Sequence, residues 1–333
     1  MKVFITGGTG FIGTRLTEKL ISENHKVTLL ARNPSAVVFA EMERPEIIKG
    51  DLSDTAALRQ GMSDCDWVFH MAAFTKPWAK DPSEVFKTNV TGTVNVLNAA
   101  FECRVRKVVI TSTGGTMGWS PDGKPIDESA NPAQEFKTIY EKTKAEAEKI
   151  ALDYVKKGLD LVIVNPTRVY GPGKLTKSNS LTKIIRLYVS GLWRIIPGNG
   201  ETAGNYVFID DVIEGHILAA KSGRSGERYL LGGENLTFSD LFRIIGEAVG
   251  HRRKVFKLPL VFLKLIVKLL MAISKITGTP PLITMDWLDK YMNNSIISSQ
   301  KAIKELGYRV TPFRNGVTIT INWLKSKQYD TRK

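Results

Sequence analysis

Apolar and polar positions fall into alternating short and long blocks along the first half of the chain. Val3, Phe4 and Ile5 form an apolar run that reads as a short buried strand. The run Thr6-Gly7-Gly8-Thr9-Gly10 turns it into a helix whose apolar positions are Phe11, Ile12, Leu16 and Leu20. Further strands are expected at 25–31, 46–51, 66–73, 107–113 and 160–165. Helices are expected over 85–101, with Val90, Val94 and Leu97 on one face, and over 136–157. Prolines and Asp122-Gly123 mark 119–134 as a loop, and 166–173 reads as a loop across the sheet's carboxyl edge. Strands alternating with helices specify an open parallel sheet covered on both faces.

The alternation weakens after residue 173. A helix is expected over 181–192, a strand and turn over 195–199, a strand over 206–210 and a helix from Asp211 to about 220. Another strand is expected over 228–232, and Ser239 reads as the cap of a helix to 250. The fold class expected is α/β, a Rossmann-type doubly wound parallel sheet with a smaller, discontinuous C-terminal substrate domain. The dinucleotide part would be 1–173, with 206–232 returning to it, and the substrate part 174–205 and 233–333.

One block stands apart. Residues 258–276 are apolar except for Lys264, Lys268, Ser274 and Lys275, and their longest unbroken apolar run is 269–273. A spanning helix needs roughly twenty mostly apolar residues, and three mid-depth lysines are costly. The lysines fall on one narrow helical stripe. The preferred reading is a helix packed on the substrate pocket or a neighbour; the sharper one is a helix lying in an acidic membrane surface.

Composition narrows the class. With 43% hydrophobic and 24% charged residues among 333, the chain reads as a globular protein with a sizeable core. Two cysteines, Cys65 and Cys103, cannot form a metal cluster alone and suit a reducing cytoplasm. No apolar leader precedes the first strand, so a cytoplasmic location is expected, peripheral at the inner membrane surface if 258–276 meets lipid. The net charge of +14 favours anionic partners such as phosphorylated cofactors or acidic lipid. No nucleic-acid module is evident, and no nucleic-acid partner is expected.

Several positions carry chemistry. A strand ending in a glycine turn that feeds a helix N-terminus makes an anion site. Gly7, Gly10 and Gly13 permit the tight turn, the approach of a pyrophosphate and close helix packing. Arg32 stands after the second strand, with no acid before Glu41, which favours the 2′-phosphate of NADP over NAD. Asp54 can cap a helix, while Asp51 and Leu52 could edge an adenine. Ala72 and Ala73 leave room for a ligand at a strand's carboxyl end. Asn89 reads either as a buried amide satisfying backbone groups or as a catalytic residue. Thr111, Ser112 and Thr113 end the strand over 107–113, and Tyr140 and Lys144 share a helix face.

The motif order resembles the extended short-chain dehydrogenase/reductases: TGGTGFIG at 6–13, Asp51-Leu52, HMAA at 70–73, Thr-Ser-Thr at 111–113, Tyr140-x-x-x-Lys144 and NPTRVYGPG at 165–173. YVFIDDVIEGH, GERYLLGGENLTF and SSQKAIKELGY are similar to the branch of dihydroflavonol reductases, hopanoid-associated sugar epimerases and farnesol dehydrogenases. The resemblance implies NADP or NAD held by the first turn, including Thr9, Phe11 and Ile12, and a small-molecule substrate. It implies Tyr140 as proton donor or acceptor and Lys144 on the nicotinamide ribose, its charge favouring the phenolate. Thr113, with Ser112 as fallback, would hydrogen-bond the substrate oxygen. Asn89 would lie near the active site, and Pro166, Arg168 and Val169 at the nicotinamide end. A homodimer is usual among such proteins.

Three functions compete. The first is an NAD(P)-dependent oxidoreductase acting on an alcohol or carbonyl carbon of an apolar, isoprenoid-, steroid- or flavonoid-like substrate. The alternative is a nucleotide-sugar epimerase with tightly bound NAD. Against it, Val164-Asn165 precedes Pro166 where sugar enzymes of the resemblance carry an arginine; Gly114-Gly115 argues likewise against dehydration. The third, a non-catalytic cofactor sensor, sits poorly with an intact Tyr140 and Lys144.

Overall fold

The computed structural model describes every residue except 37–38, 40–43, 131–135, 176–178, 251–252, 282 and 331–333; Glu41 and Pro132 lie outside the described residues. In chain order, β1 (Lys2–Thr6), α1 (Phe11–Ser22), β2 (Lys26–Ala31), β3 (Glu46–Lys49), α2 (Thr55–Met62) and β4 (Trp67–His70) come first. A single helical rod follows in three parts: α3 (Ser83–Phe86), a π turn at Lys87–Thr91, and α4 (Gly92–Glu102). Then come β5 (Lys107–Thr111), α5 (Ile139–Lys156), β6 (Leu161–Pro166) and β7 (Arg168–Tyr170). The remainder comprises α6 (Ser180–Val189), β8 (Ile195–Pro197), β9 (Ala203–Phe208), α7 (Ile209–Ser222), β10 (Arg228–Leu231), β11 (Glu234–Thr237), α8 (Phe238–Val249), β12 (Phe256–Leu258), α9 (Leu260–Thr277), α10 (Met285–Tyr291), α11 (Gln300–Leu306) and α12 (Phe313–Asp330).

Seven strands form the main sheet in the order β10-β6-β5-β4-β1-β2-β3, every pair parallel. This is the doubly wound fold expected. Strand period sorts the side chains: Val3 and Ile5 join the core under α1 and α7, while Phe4 joins the core under α2, α4 and α5. Leu161 to Val164 of β6 are wholly buried, which accounts for an unbroken apolar run in place of an alternating one. The order reverses between β4 and β1, so a crevice opens at their carboxyl ends, where Gly7 meets Ala72.

The small elements differ from expectation in instructive ways. Residues 168–170 are a strand, not loop: β7 pairs in parallel with β9, and β9 pairs antiparallel with β11 in a separate three-stranded sheet. Of 206–232, therefore, α7 and β10 stand with the main sheet while β9 does not. Thr237, not Ser239, caps α8, its hydroxyl accepting from the Asp240 N–H at 3.0 Å. The helix over 136–157 begins at Ile139, where Thr138 and Glu141 form a reciprocal capping box. The strand over 206–210 ends at Phe208 because Asp210 and Asp211 already lie in the first turn of α7.

Candidate active site

The glycine turn has the shape an anion needs. Gly7 sits at φ +77°, and a Cβ there would stand 2.5 Å from the Ala72 nitrogen. A Cβ on Gly13 would stand 2.1 Å from the Gly7 oxygen, so α1 packs on its own entry turn. Gly10, whose N–H bonds Gly7 O at 3.0 Å, caps α1 without any side chain bonding the first helical N–H groups. Those free donors and the close backbone fit a dinucleotide pyrophosphate. Lys174 reaches the turn from the far side, its Nζ 3.4 Å from Thr9 O.

A cleft of about 1510 Å³ starts at this turn and runs along the carboxyl ends of the strands. Thr9, Phe11 and Ile12 line it beside the glycines. Arg32, Asp51 and Leu52 line its far end. The Asp51 carboxylate accepts from the Ser53 N–H and hydroxyl, which hold its pKa below the usual value, with Arg32 adding to the effect. Leu52 O is fixed by the Asn95 amide at 2.9 Å. Ala72, Ala73, Thr111, Pro166, Arg168 and Val169 line the middle.

At the other end the cleft reaches Ser112, Thr113 and Tyr140. Tyr140 is half-buried, and its phenol lies within hydrogen-bonding reach of the Thr113 hydroxyl. Burial, then the charges of Glu141 and Glu148, pushes the phenol well above its ordinary pKa. Lys144 shares the helix face but lies buried behind the cleft, its Nζ donating to Thr111 O at 2.7 Å. Burial lowers its pKa to about 8, against the pull of Glu148.

Neighbouring hydroxyls have opposite fates. Ser112 is buried and donates to Glu148, while Thr113 stands half-buried in the cleft. Glu148 Oε1 also accepts from Thr116 and from Asn165 Nδ2, each at 2.8 Å. A carboxylate so occupied holds the floor of the site and engages the Ser112 hydroxyl proton.

Asn89 lies outside the cleft lining, on the π turn. Its Oδ1 accepts from Phe74 N at 2.7 Å and its Nδ2 donates to Thr143 Oγ1 at 3.0 Å. It thus ties the loop after β4 to α5 one residue before Lys144. Behind it runs a buried chain: Thr6 Oγ1 to His70 Nδ1 at 2.7 Å, His70 Nε2 to Thr93 Oγ1 at 2.9 Å, and Thr93 Oγ1 to Asn89 O at 2.7 Å. Because the Thr93 proton goes to the carbonyl, His70 must donate from Nε2 and accept at Nδ1. Burial, then the nearby Lys144, lowers His70 to about 3, so it is neutral.

Sequence reasoning missed α10. Trp287 stacks on Tyr140 with ring centroids 6.4 Å apart, and Lys290 bridges to Glu141 at 2.9 Å and faces the Trp287 ring at 4.6 Å. Arg168 lies between the rings of Tyr206 and Tyr291, at 5.4 and 5.1 Å. No local pattern signals the contacts of α10 with Tyr140, Glu141 and Arg168, which join residues more than a hundred positions apart. Phe74, Trp78, Trp119, Phe136, Trp193 and Phe242 complete an aromatic wall.

Residues 3–232 match the model of the NAD dependent epimerase/dehydratase family. The chain is 30% identical over 335 residues to a putative dihydroflavonol 4-reductase from Synechocystis sp., covering 98% of this chain and 95% of that protein. It is 32% identical to sterol demethylase protein B from Methylococcus capsulatus, covering 78% of each. The crystal structure of gox2253 superposes with a TM-score of 0.81 at 34% identity, covering 98% of both chains.

Proposed function

The chain belongs to the NAD-dependent epimerase/dehydratase family, the extended short-chain dehydrogenase/reductases, and is an NAD(P)-dependent enzyme; from that premise we propose that it reduces a carbonyl, or oxidises the matching alcohol, on an apolar isoprenoid-, steroid- or flavonoid-like substrate. The observation that carries this reading is the Tyr140 phenol, which lines with Thr113 the aromatic end of a cleft that begins at the glycine turn. The names of two relatives, a reductase of a flavonoid and a protein of sterol demethylation, point to the same substrate class.

Residues of the turn would hold the pyrophosphate, and Asp51 and Leu52 would edge the adenine. Arg32 would meet a 2′-phosphate, which favours NADP. Bound nicotinamide supplies or takes the hydride. Thr113 orients the substrate oxygen by hydrogen bond, and Tyr140 hands it a proton in reduction or removes one in oxidation. Lys144 would hold the nicotinamide ribose, and its positive charge would offset negative charge arising at the phenol. Trp287 and the aromatic wall exclude water and grip the apolar body. Asn165, engaged with Glu148, stands before Pro166 where sugar enzymes of the family commonly carry an arginine, which weighs against the epimerase reading.

Within this reading, 1–173 with α7 and β10 form the cofactor side, and 174–205 with 233–333 the substrate side. A homodimer would pair the outer faces of α4 and α5, where Phe101 is 45% exposed, and two cysteines suit the cytoplasm. NADPH consumption with a panel of aldehydes and ketones tests the function. Turnover of apolar carbonyls supports it; NAD retained through purification with no carbonyl turned over contradicts it.

A further inference from the structure

Helix α9 presents two apolar faces where a packed surface helix has one. Toward the protein, Leu263, Val267 and Leu270 line the cleft, with Val267 2% exposed. Away from it, Val261, Phe262, Leu265, Leu269, Ile273 and Ile276 point to solvent, Leu265 at 64% and Ile276 at 86% exposure. Ile266 belongs to both faces: it lines the cleft and is 45% exposed. At about 100° per residue, Lys264, Lys268 and Lys275 fall on a stripe along the opposite margin of the outer face. Lys264 is held by Asp289 at 3.7 Å, while Lys268 and Lys275 are exposed. No acidic residue occurs in α9.

The outer face continues past Pro259 onto β12 and its partner β8. Phe256 is 57% exposed and in register with Ile195 at 40%, with Leu192 at 75% nearby in sequence. Arg194, Lys254 and Lys257 surround that corner; Lys257 faces Glu201 at 3.7 Å. Among the described residues no helix is long and apolar enough to cross a membrane.

We propose that α9 and the β8–β12 corner lie in the surface of an anionic lipid bilayer, and that the cleft opens there, so that an apolar substrate passes from the acyl region along Ile266 to Tyr140 without crossing water. The proposal rests on the apolar-substrate reading above. Exposed apolar residues enter the acyl boundary, while the lysine stripe reaches back to anionic headgroups. Charge selects lipid over a second copy: a two-fold seam on this face would set each lysine stripe near its own copy with no acid on α9 to answer it.

The test is co-sedimentation of the full-length protein with vesicles of phosphatidylcholine containing phosphatidylglycerol, against phosphatidylcholine alone. The wild type is expected to bind the anionic vesicles and release at high salt. Leu265→Glu with Leu269→Glu, and separately Lys268→Glu with Lys275→Glu, are expected to weaken binding about tenfold or more. Both pairs lie outside the cleft, so turnover of a short, water-soluble aldehyde stays at the wild-type rate while turnover of a long-chain aldehyde dissolved in the vesicles falls with binding. No vesicle binding, binding indifferent to both variant pairs, or a wild-type dimer that Leu265→Glu with Leu269→Glu dissociates in the absence of vesicle binding would each overturn the proposal. Vesicle binding that behaves as expected while no carbonyl is turned over keeps the docking surface and removes the catalytic reading instead.

Discussion

The main sheet and the α9 corner are built from the same apolar residue types and use them oppositely. Ile163 in β6 is wholly buried between two helical layers, whereas Ile273 in α9 stands 45% exposed. In the sheet, hydrophobic burial is complete, and the carboxyl ends of the strands form a rigid edge from which the glycine turn, Thr111 and Thr113 project. At the corner, burial is left undone on one face. Chemistry sits where the backbone is over-determined, and substrate choice where apolar surface is still available for contact.

Removing the floor of the rigid side has the largest expected effect on stability. Glu148→Ala strands the Ser112 hydroxyl, unpairs Arg228 and leaves Thr116 and Asn165 to share Thr113 O, and should destabilise by about 3 kcal/mol in denaturant unfolding. A loss under about 1 kcal/mol would mean that the cluster rearranges freely.

A matched pair sharpens the contrast directly. Ile163→Ala should cost about 3 kcal/mol, as a cavity in a closed core does, while Ile273→Ala should stay within about 0.5 kcal/mol. Equal losses would show that the outer face of α9 is buried in solution. An effect of similar size concerns pH. Lys144 is lowered to about 8 from 10.5 by burial, so between those values the unfolded chain holds a proton that the folded one has released. Stability of the cofactor-free protein should therefore climb as pH rises through that window, by up to about 3 kcal/mol. Lys144→Met should flatten the slope, and two parallel pH profiles would refute the assignment. Smallest of all, Arg32→Asp should shift the ratio of NADP to NAD dissociation constants toward NAD by about tenfold, or about 1.4 kcal/mol; an unchanged ratio removes Arg32 from the 2′-phosphate.

Legibility in the sequence followed the same divide. The strands and the glycine turn were readable because local pattern determines them: short β-branched runs such as 161–164, bounded by turn residues, read as doubly covered strands. Boundaries set by capping were read less well. Thr138 with Glu141 starts α5, and Thr237 starts α8, each competing with a plausible neighbour. Strand β7 was hidden because its partner β9 lies more than thirty residues on. The catalytic neighbourhood was legible as residue types but not as geometry. Spacing placed Tyr140 and Lys144 on one face, yet could not show that the ammonium turns to Thr111 O, or that Glu148 claims Ser112 and leaves Thr113 for the cleft. The contact of Trp287 with Tyr140 is pure tertiary structure.

The most direct measurement is NADPH consumption with an apolar ketone by the wild type and by Tyr140→Phe, at matched folding stability. Loss of the phenolic proton should lower turnover by about a thousandfold while leaving NADPH affinity within about twofold. Turnover by Tyr140→Phe at the wild-type rate would contradict the assignment of Tyr140 as the group that moves the proton.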